Sequence, residues 1–128
     1  MELEIKYICN VSHEYILNII KRFNITTILN HEDNQSIIEF YDTNKIIIGF
    51  INYEEIPNNN VYNGNNLLIK SIYYLDDKYL DAMIKKLVKK TYRKFICIYI
   101  NINDKLLDEN IIFALKKNNF KGNNTLFL

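Results

Sequence analysis

The sequence predicts an α/β chain (a mixed α+β arrangement). One domain spans residues 1–128, with a central mixed, mostly antiparallel sheet and helices on both faces. Three observations carry this. Apolar runs of strand length alternate with stretches whose apolar residues recur at helical spacing. Two of those runs, in "SIIEFYDTNKIIIGFINYEEI", flank a turn-forming cluster, as an antiparallel hairpin requires. The strand–helix–strand stretch from Leu67 to Ile102 is long enough for a crossover between parallel strands, so the sheet is mixed.

The elements follow in order. "LEIKYIC" is a short apolar-rich strand, and Ser12 caps the helix after it. There Ile16, Ile19, Ile20 and Phe23 form one apolar face. "NITTILNHED" fits either a second short helix or a loop. The hairpin turns at Asp42-Thr43-Asn44-Lys45. Its second arm runs from about Ile46 to Ile56, where Pro57 is expected to end it. "PNNNVYNGNN" reads as a polar loop and "LLIKSIYYL" as the next strand. From Lys78 the period changes: Tyr79, Leu80, Met83, Ile84, Leu87 and Val88 form a stripe opposite Lys85, Lys86, Lys89 and Lys90. "KFICIYINI" is apolar on both alternating faces, as a central strand covered on two sides would be. Asp108 caps a last helix through "NIIFALKKNN", and "FKGNNTLFL" closes the chain as a strand.

Composition removes several classes of function. With 48% hydrophobic and 24% charged residues the chain is globular. A formal net charge of +1 gives no reason to expect a nucleic acid or an acidic membrane as partner. No apolar run approaches the roughly 20 residues that span a bilayer, and the N-terminus has no apolar signal core. A cytoplasmic protein is expected. Cys9 and Cys97 read as buried, reduced thiols, and with His13 and His31 isolated no metal site is expected. Ile and Asn fill 43 of 128 positions, a bias that points to an AT-rich genome and explains the asparagine runs. The ten tyrosines, Tyr53, Tyr62, Tyr73 and Tyr74 among them, suit a homodimer or a protein partner.

The order β-α-(α)-β-β-β-α-β-α-β resembles the GNAT superfamily of N-acetyltransferases over nearly the whole chain. "TNKIIIGFINYEEI" looks like that family's hairpin. "LLIKSIYYLDDKYLDAMIKKLVKK" is similar to its fourth strand, cofactor turn and following helix. "FICIYININDKLLDENIIFALKKNNFKGNNTLFL" is similar to its closing unit. The resemblance implies acetyl-CoA as cofactor and a small-molecule or peptide amine as acceptor. It places the pantetheine arm between the fourth and fifth strands and the pyrophosphate at the turn that follows. Ile72, Tyr73, Tyr74, Lys78, Tyr79, Leu80 and Asn110 are then the cofactor-contacting residues. Tyr73, Tyr74 and Glu54 are the candidates for proton transfer.

The turn and three single positions depart from the family pattern. The turn "LDDKYLDAM" has no glycine, although glycines let a backbone approach phosphate. Asp76, Asp77 and Asp81 stand there instead. A carboxylate about 5 Å from a phosphate costs roughly 3 kcal/mol at an effective dielectric near 20, against about 0.3–1 kcal/mol returned by a helix dipole. Either Asp76 or Asp77 is expected to cap its own helix. Leu115 stands where the family has a proton-donating Tyr, Asn119 where it has Gly, and Asp108 where it often has Asn. The alternative is therefore a catalytically degenerate GNAT-fold module that binds a protein partner or regulates one.

Overall fold

A computed structural model of the chain describes residues 2–22, 35–58, 63–91, 94–95, 97–101 and 108–128. The ambiguous segment "NITTILNHED" lies outside them. The elements are β1 (Glu4–Val11), α1 (His13–Arg22), β2 (Gln35–Tyr41), β3 (Ile47–Asn58), β4 (Asn63–Tyr74), a 3-10 turn (Asp77–Tyr79), α2 (Leu80–Thr91), β5 (Cys97–Asn101), α3 (Glu109–Lys117) and β6 (Thr125–Phe127).

The strands form one six-stranded sheet in chain order, β1 to β6. Every neighbouring pair is antiparallel except β4 and β5, which are parallel. That exception is forced by α2, which carries the chain back across the sheet between them. The mixed sheet with helices on both faces is thus the architecture expected from sequence.

Successive strand residues point to opposite faces, and the core divides accordingly. Ile51 and Ile72 belong to the large cluster with Leu80, Met83, Ile84 and Leu87 of α2 and Ile111, Ala114 and Leu115 of α3. Their chain neighbours Phe50 and Tyr73 belong to a smaller cluster with Ile16 and Ile19 of α1. Gly49 lies where β3 passes beneath α2. A Cβ there would stand 2.5 Å from Met83 Cε and 2.6 Å from the Tyr73 carbonyl oxygen, so only glycine fits without displacement.

Two expectations are corrected. Pro57 does not end its strand, because β3 continues to Asn58 and pairs there with Asn63 of β4. The proline falls where the register shifts between Ile56 and Asn58; at such an irregularity a missing N–H costs no ladder bond. The polar loop is correspondingly shorter than residues 57–66. Cys9 is exposed rather than buried, since β1 is an edge strand, while Cys97 is buried; both are free thiols.

The caps read from sequence are in place. Ser12 Oγ accepts from the Tyr15 amide at 3.1 Å. Asp108 Oδ1 accepts from the Ile111 amide at 2.8 Å. Asn119 adopts a left-handed φ of 71°. The Asn119 amide bonds Lys116 O at 3.1 Å and the Phe120 amide bonds Leu115 O at 3.1 Å, a Schellman closure of α3. Asparagine tolerates that conformation better than other side chains with a Cβ, so it replaces the expected glycine without loss of the motif. No helix among the described residues is long and apolar enough to cross a membrane.

Candidate functional site

The site begins with one surplus residue. Asn52 of β3 opposes Ser71 of β4, yet Tyr53 opposes Ile69, so Lys70 is an extra residue in β4. Such a bulge bends its strand and increases the local twist. On the other side, β4 pairs with β5 only from Asn66 to Ile69. Asn101 still belongs to the sheet through Thr125 of β6 but has no partner on β4. Among the described residues, the ladder between the two parallel strands therefore ends at the bulge.

Backbone polarity follows from the register. The Leu75 amide donates to Ile48 O at 3.0 Å. In an antiparallel ladder the bonded residues alternate, so Tyr73 and Ser71 also bond to β3. The N–H and C=O groups of Ile72 and Tyr74 point the other way, towards the β5 side, where no described residue pairs with them. Side chains alternate too: Ile72 and Tyr74 face α2 and α3, while Ser71 and Tyr73 face α1.

On the α1 face, Tyr73 is buried and its ring stacks on Phe50 at 4.4 Å between centroids. Ser71 is buried, and its hydroxyl has no hydrogen-bond partner among the described residues. Two strands away lies Glu39, 2% exposed. Its Oε2 accepts from the Tyr15 hydroxyl at 3.0 Å and its Oε1 from the Tyr41 hydroxyl at 2.9 Å. Burial first, and the carboxylate second, push both phenols up to about 12. Sequence reading missed Glu39. The signal was a lone acid at a core-facing place in the apolar run "SIIEFY".

On the α2 face the region beyond the β4–β5 ladder is laced by side chains. The Tyr74 hydroxyl donates to Asp108 Oδ2 at 2.5 Å, and burial together with that bond raises its pKa to about 12. Asn110 Nδ2 donates to Asp77 Oδ1 at 3.2 Å. Asn118 Nδ2 donates to Asp81 Oδ1 at 3.0 Å, and Lys85 pairs with the same carboxylate at 2.9 Å. Lys85 and Asn118 hold the Asp81 carboxyl below its usual value.

The turn after β4 spends its amides on itself. Asp76 Oδ1 accepts from the Lys78 amide at 3.1 Å, and Asp76 O accepts from the Tyr79 amide at 3.0 Å. The Leu80 amide bonds Asp77 O. Asp76 is thus the capping aspartate. The Lys78 ammonium lies 5.1 Å from the Tyr79 ring centroid. Leu80 is buried in the large core, so only its backbone borders the turn. Glu54 stands apart at the far side of the bulge, 3.6 Å from the Lys70 ammonium, both half-exposed. Leu115 is fully buried. No group of His, Cys, Asp and Glu among the described residues is arranged to hold a metal ion.

No family model matches the chain, and no curated protein matches it by sequence. Solved structures do match. An aminoglycoside N(6')-acetyltransferase from Legionella pneumophila superposes with a TM-score of 0.65 at 13% identity, over 100% of this chain and 93% of that one. A mutant AtaT toxin bound to the C-terminus of the antitoxin AtaR gives 0.51 at 10% identity, over 100% and 92%. AtaT complexed with acetyl-methionyl-tRNAfMet gives 0.50 at 12% identity, over 99% and 94%. At these identities the likeness is one of fold.

Proposed function

We propose that this chain, whose fold is that of the GNAT acetyltransferases, moves an acetyl group from acetyl-CoA to an amine. The amine nitrogen attacks the thioester carbonyl directly, the C–S bond breaks, the amine gives up a proton and the departing thiolate takes one. The observation that carries the reading is the end of the described β4–β5 ladder at Ile69, beyond which Ile72 and Tyr74 turn backbone groups that no described residue pairs. An extended amide chain such as pantetheine matches those groups as a strand would. Tyr73 and Ser71 border the acceptor side, and Tyr74 and Asn110 border the arm. Glu54, behind the bulge, is the nearest exposed carboxylate on β3 for the amine's proton.

In this reading the Lys78–Leu80 turn contributes little to the pyrophosphate. Its amides are already bonded, and the Lys78 ammonium supplies the attraction as a point charge. Calorimetric titration with acetyl-CoA and with pantetheine lacking the nucleotide tests this. The expected result is micromolar binding of acetyl-CoA that weakens only modestly in the fragment. No binding of either compound overturns the proposal.

A second reading has its own support: a GNAT-fold module that keeps the architecture without the chemistry. Asp76 closes the anion cradle and Leu115 fills the proton donor's place with core. One of the matching structures holds an antitoxin peptide, which makes a protein partner the alternative role here. A stable heterocomplex on size exclusion, with no acetyl-CoA binding, favours this reading.

A further inference from the structure

β1 is an edge strand. It bonds to β2 on one side, and among the described residues nothing pairs with its other edge. An open edge of this kind accepts a further strand unless something prevents it. Leu3 lies in the core under α2 and Ile5 packs against it, so by alternation Leu3, Ile5 and Tyr7 share the α2 face.

Over that edge stand lysines of α2. Lys86 and Lys90 line a groove of about 440 Å³ with Leu3, Ile5 and Tyr7, and Glu2 and Glu4 border it as well. It adjoins a second groove of about 350 Å³ edged by Lys78, Lys85, Lys86 and Lys89, with Glu2 and Asp81 also on its wall. Lys85 is paired with Asp81, whereas Lys78, Lys86, Lys89 and Lys90 form no ion pair among the described residues. Farther along, the Lys94 ammonium lies 5.4 Å from the Tyr7 ring centroid.

We infer that this edge is a strand-addition site for an extended partner segment with carboxylates at alternate positions. The spacing fits. Four residues of helix, Lys86 to Lys90, rise about 6 Å, and two residues of strand span about 6.6–6.8 Å. A strand added to β1 presents every second side chain to the α2 face, beneath those lysines. The intervening side chains point to the opposite face, away from those lysines, and are uncharged. A second copy of this chain does not fit, since β1 itself would offer Leu3, Ile5 and Tyr7 to the ammonium groups. A nucleic-acid duplex fits less well, because Glu2 and Glu4 border the grooves and leave the lysines as a narrow band rather than a broad basic surface. The inference does not depend on acetyl transfer.

The test uses a fluorescently labelled octapeptide of alternating Glu and Thr, titrated at low salt against the full chain and read by anisotropy. Saturable binding is expected. The Lys86→Glu/Lys90→Glu variant should bind roughly tenfold more weakly or worse, the scale of reversing two close charge pairs, with an unchanged circular dichroism spectrum and melting curve. Methylating alternate peptide nitrogens should abolish binding in one register and spare it in the other. Absence of saturable binding overturns the inference, as does equal binding of both methylated peptides. Tighter, competing binding of an RNA duplex overturns it too, by assigning the lysines to phosphate.

Discussion

The two faces of the sheet are built differently. Under α2 and α3 the strands contribute apolar side chains almost without exception, among them Phe40, Ile51, Leu67, Ile69, Ile98 and Leu126. Under α1 the apolar cluster is small, and every buried polar strand residue is on that side: Glu39, Asn52, Asn66 and Ser71. A buried polar group stabilises a fold only when its hydrogen bonds are made, and otherwise costs free energy. One face therefore carries most of the stability, and the other spends some of it on buried polar groups.

The largest effect that sharpens this contrast comes from cutting each face in turn. Phe120→Ala, in the α2/α3 core, is expected to lower unfolding free energy by about 3–5 kcal/mol in urea titration. Ser71→Ala should be neutral or slightly stabilising, because it removes a buried hydroxyl that has no partner among the described residues. Similar losses at both positions would break the comparison. Gly49→Ala should cost about 1–3 kcal/mol, since the new methyl drives into Met83 and the Tyr73 carbonyl.

Asp76→Ala comes next, with loss of a cap worth about 0.5–2 kcal/mol. It also frees the Lys78 amide and removes a carboxylate from the turn, so acetyl-CoA should bind more tightly to this variant by calorimetry. Unchanged affinity would place the pyrophosphate away from the turn.

The smallest effect is one of pH. Tyr15 and Tyr41 ionise near 12 in the folded chain against 10 when free. Their folded values are raised, so the stabilisation is complete below pH 10 and lost as pH climbs towards 12. The tyrosinate absorbance band should show late-titrating phenols in the native protein. In Glu39→Gln those phenols should ionise earlier, while burial still keeps them above 10.

Much of this was legible in the residues. The periodicities of Ile16 and Ile19, and of Leu80 to Leu87, gave both helices and the faces they bury. Asp108 and Ser12 announced their helices because a capping side chain acts within three residues of its own position. What lay hidden depends on distant pairing. Pro57 looked like a strand end because a proline's effect depends on whether the facing strand wanted its N–H, and only the register with β4 answers that. Cys9 looked buried because the same apolar alternation serves an edge strand and a central one. A lone acid in the apolar run "SIIEFY" marked Glu39 as unusual, but not its role, since its two partners come from α1 and from the end of its own strand. The turn was read in part: the missing glycine and the capping aspartate were visible, but not that three successive amides were already bonded.

The bulge at Lys70 has a consequence for how this molecule can change. β4 holds one residue more than β3 needs beside it, and the described pairing of β4 with β5 ends just before that surplus. The end of that ladder therefore follows a difference in length between adjacent strands, not the chemistry of any side chain. Replacing Lys70 with another residue should leave that end in place. Deleting it would bring Ile69 and Ser71 into regular register with Tyr53 and Asn52 and let the pairing with β5 run on, leaving a sheet as well paired as before and no room beside it.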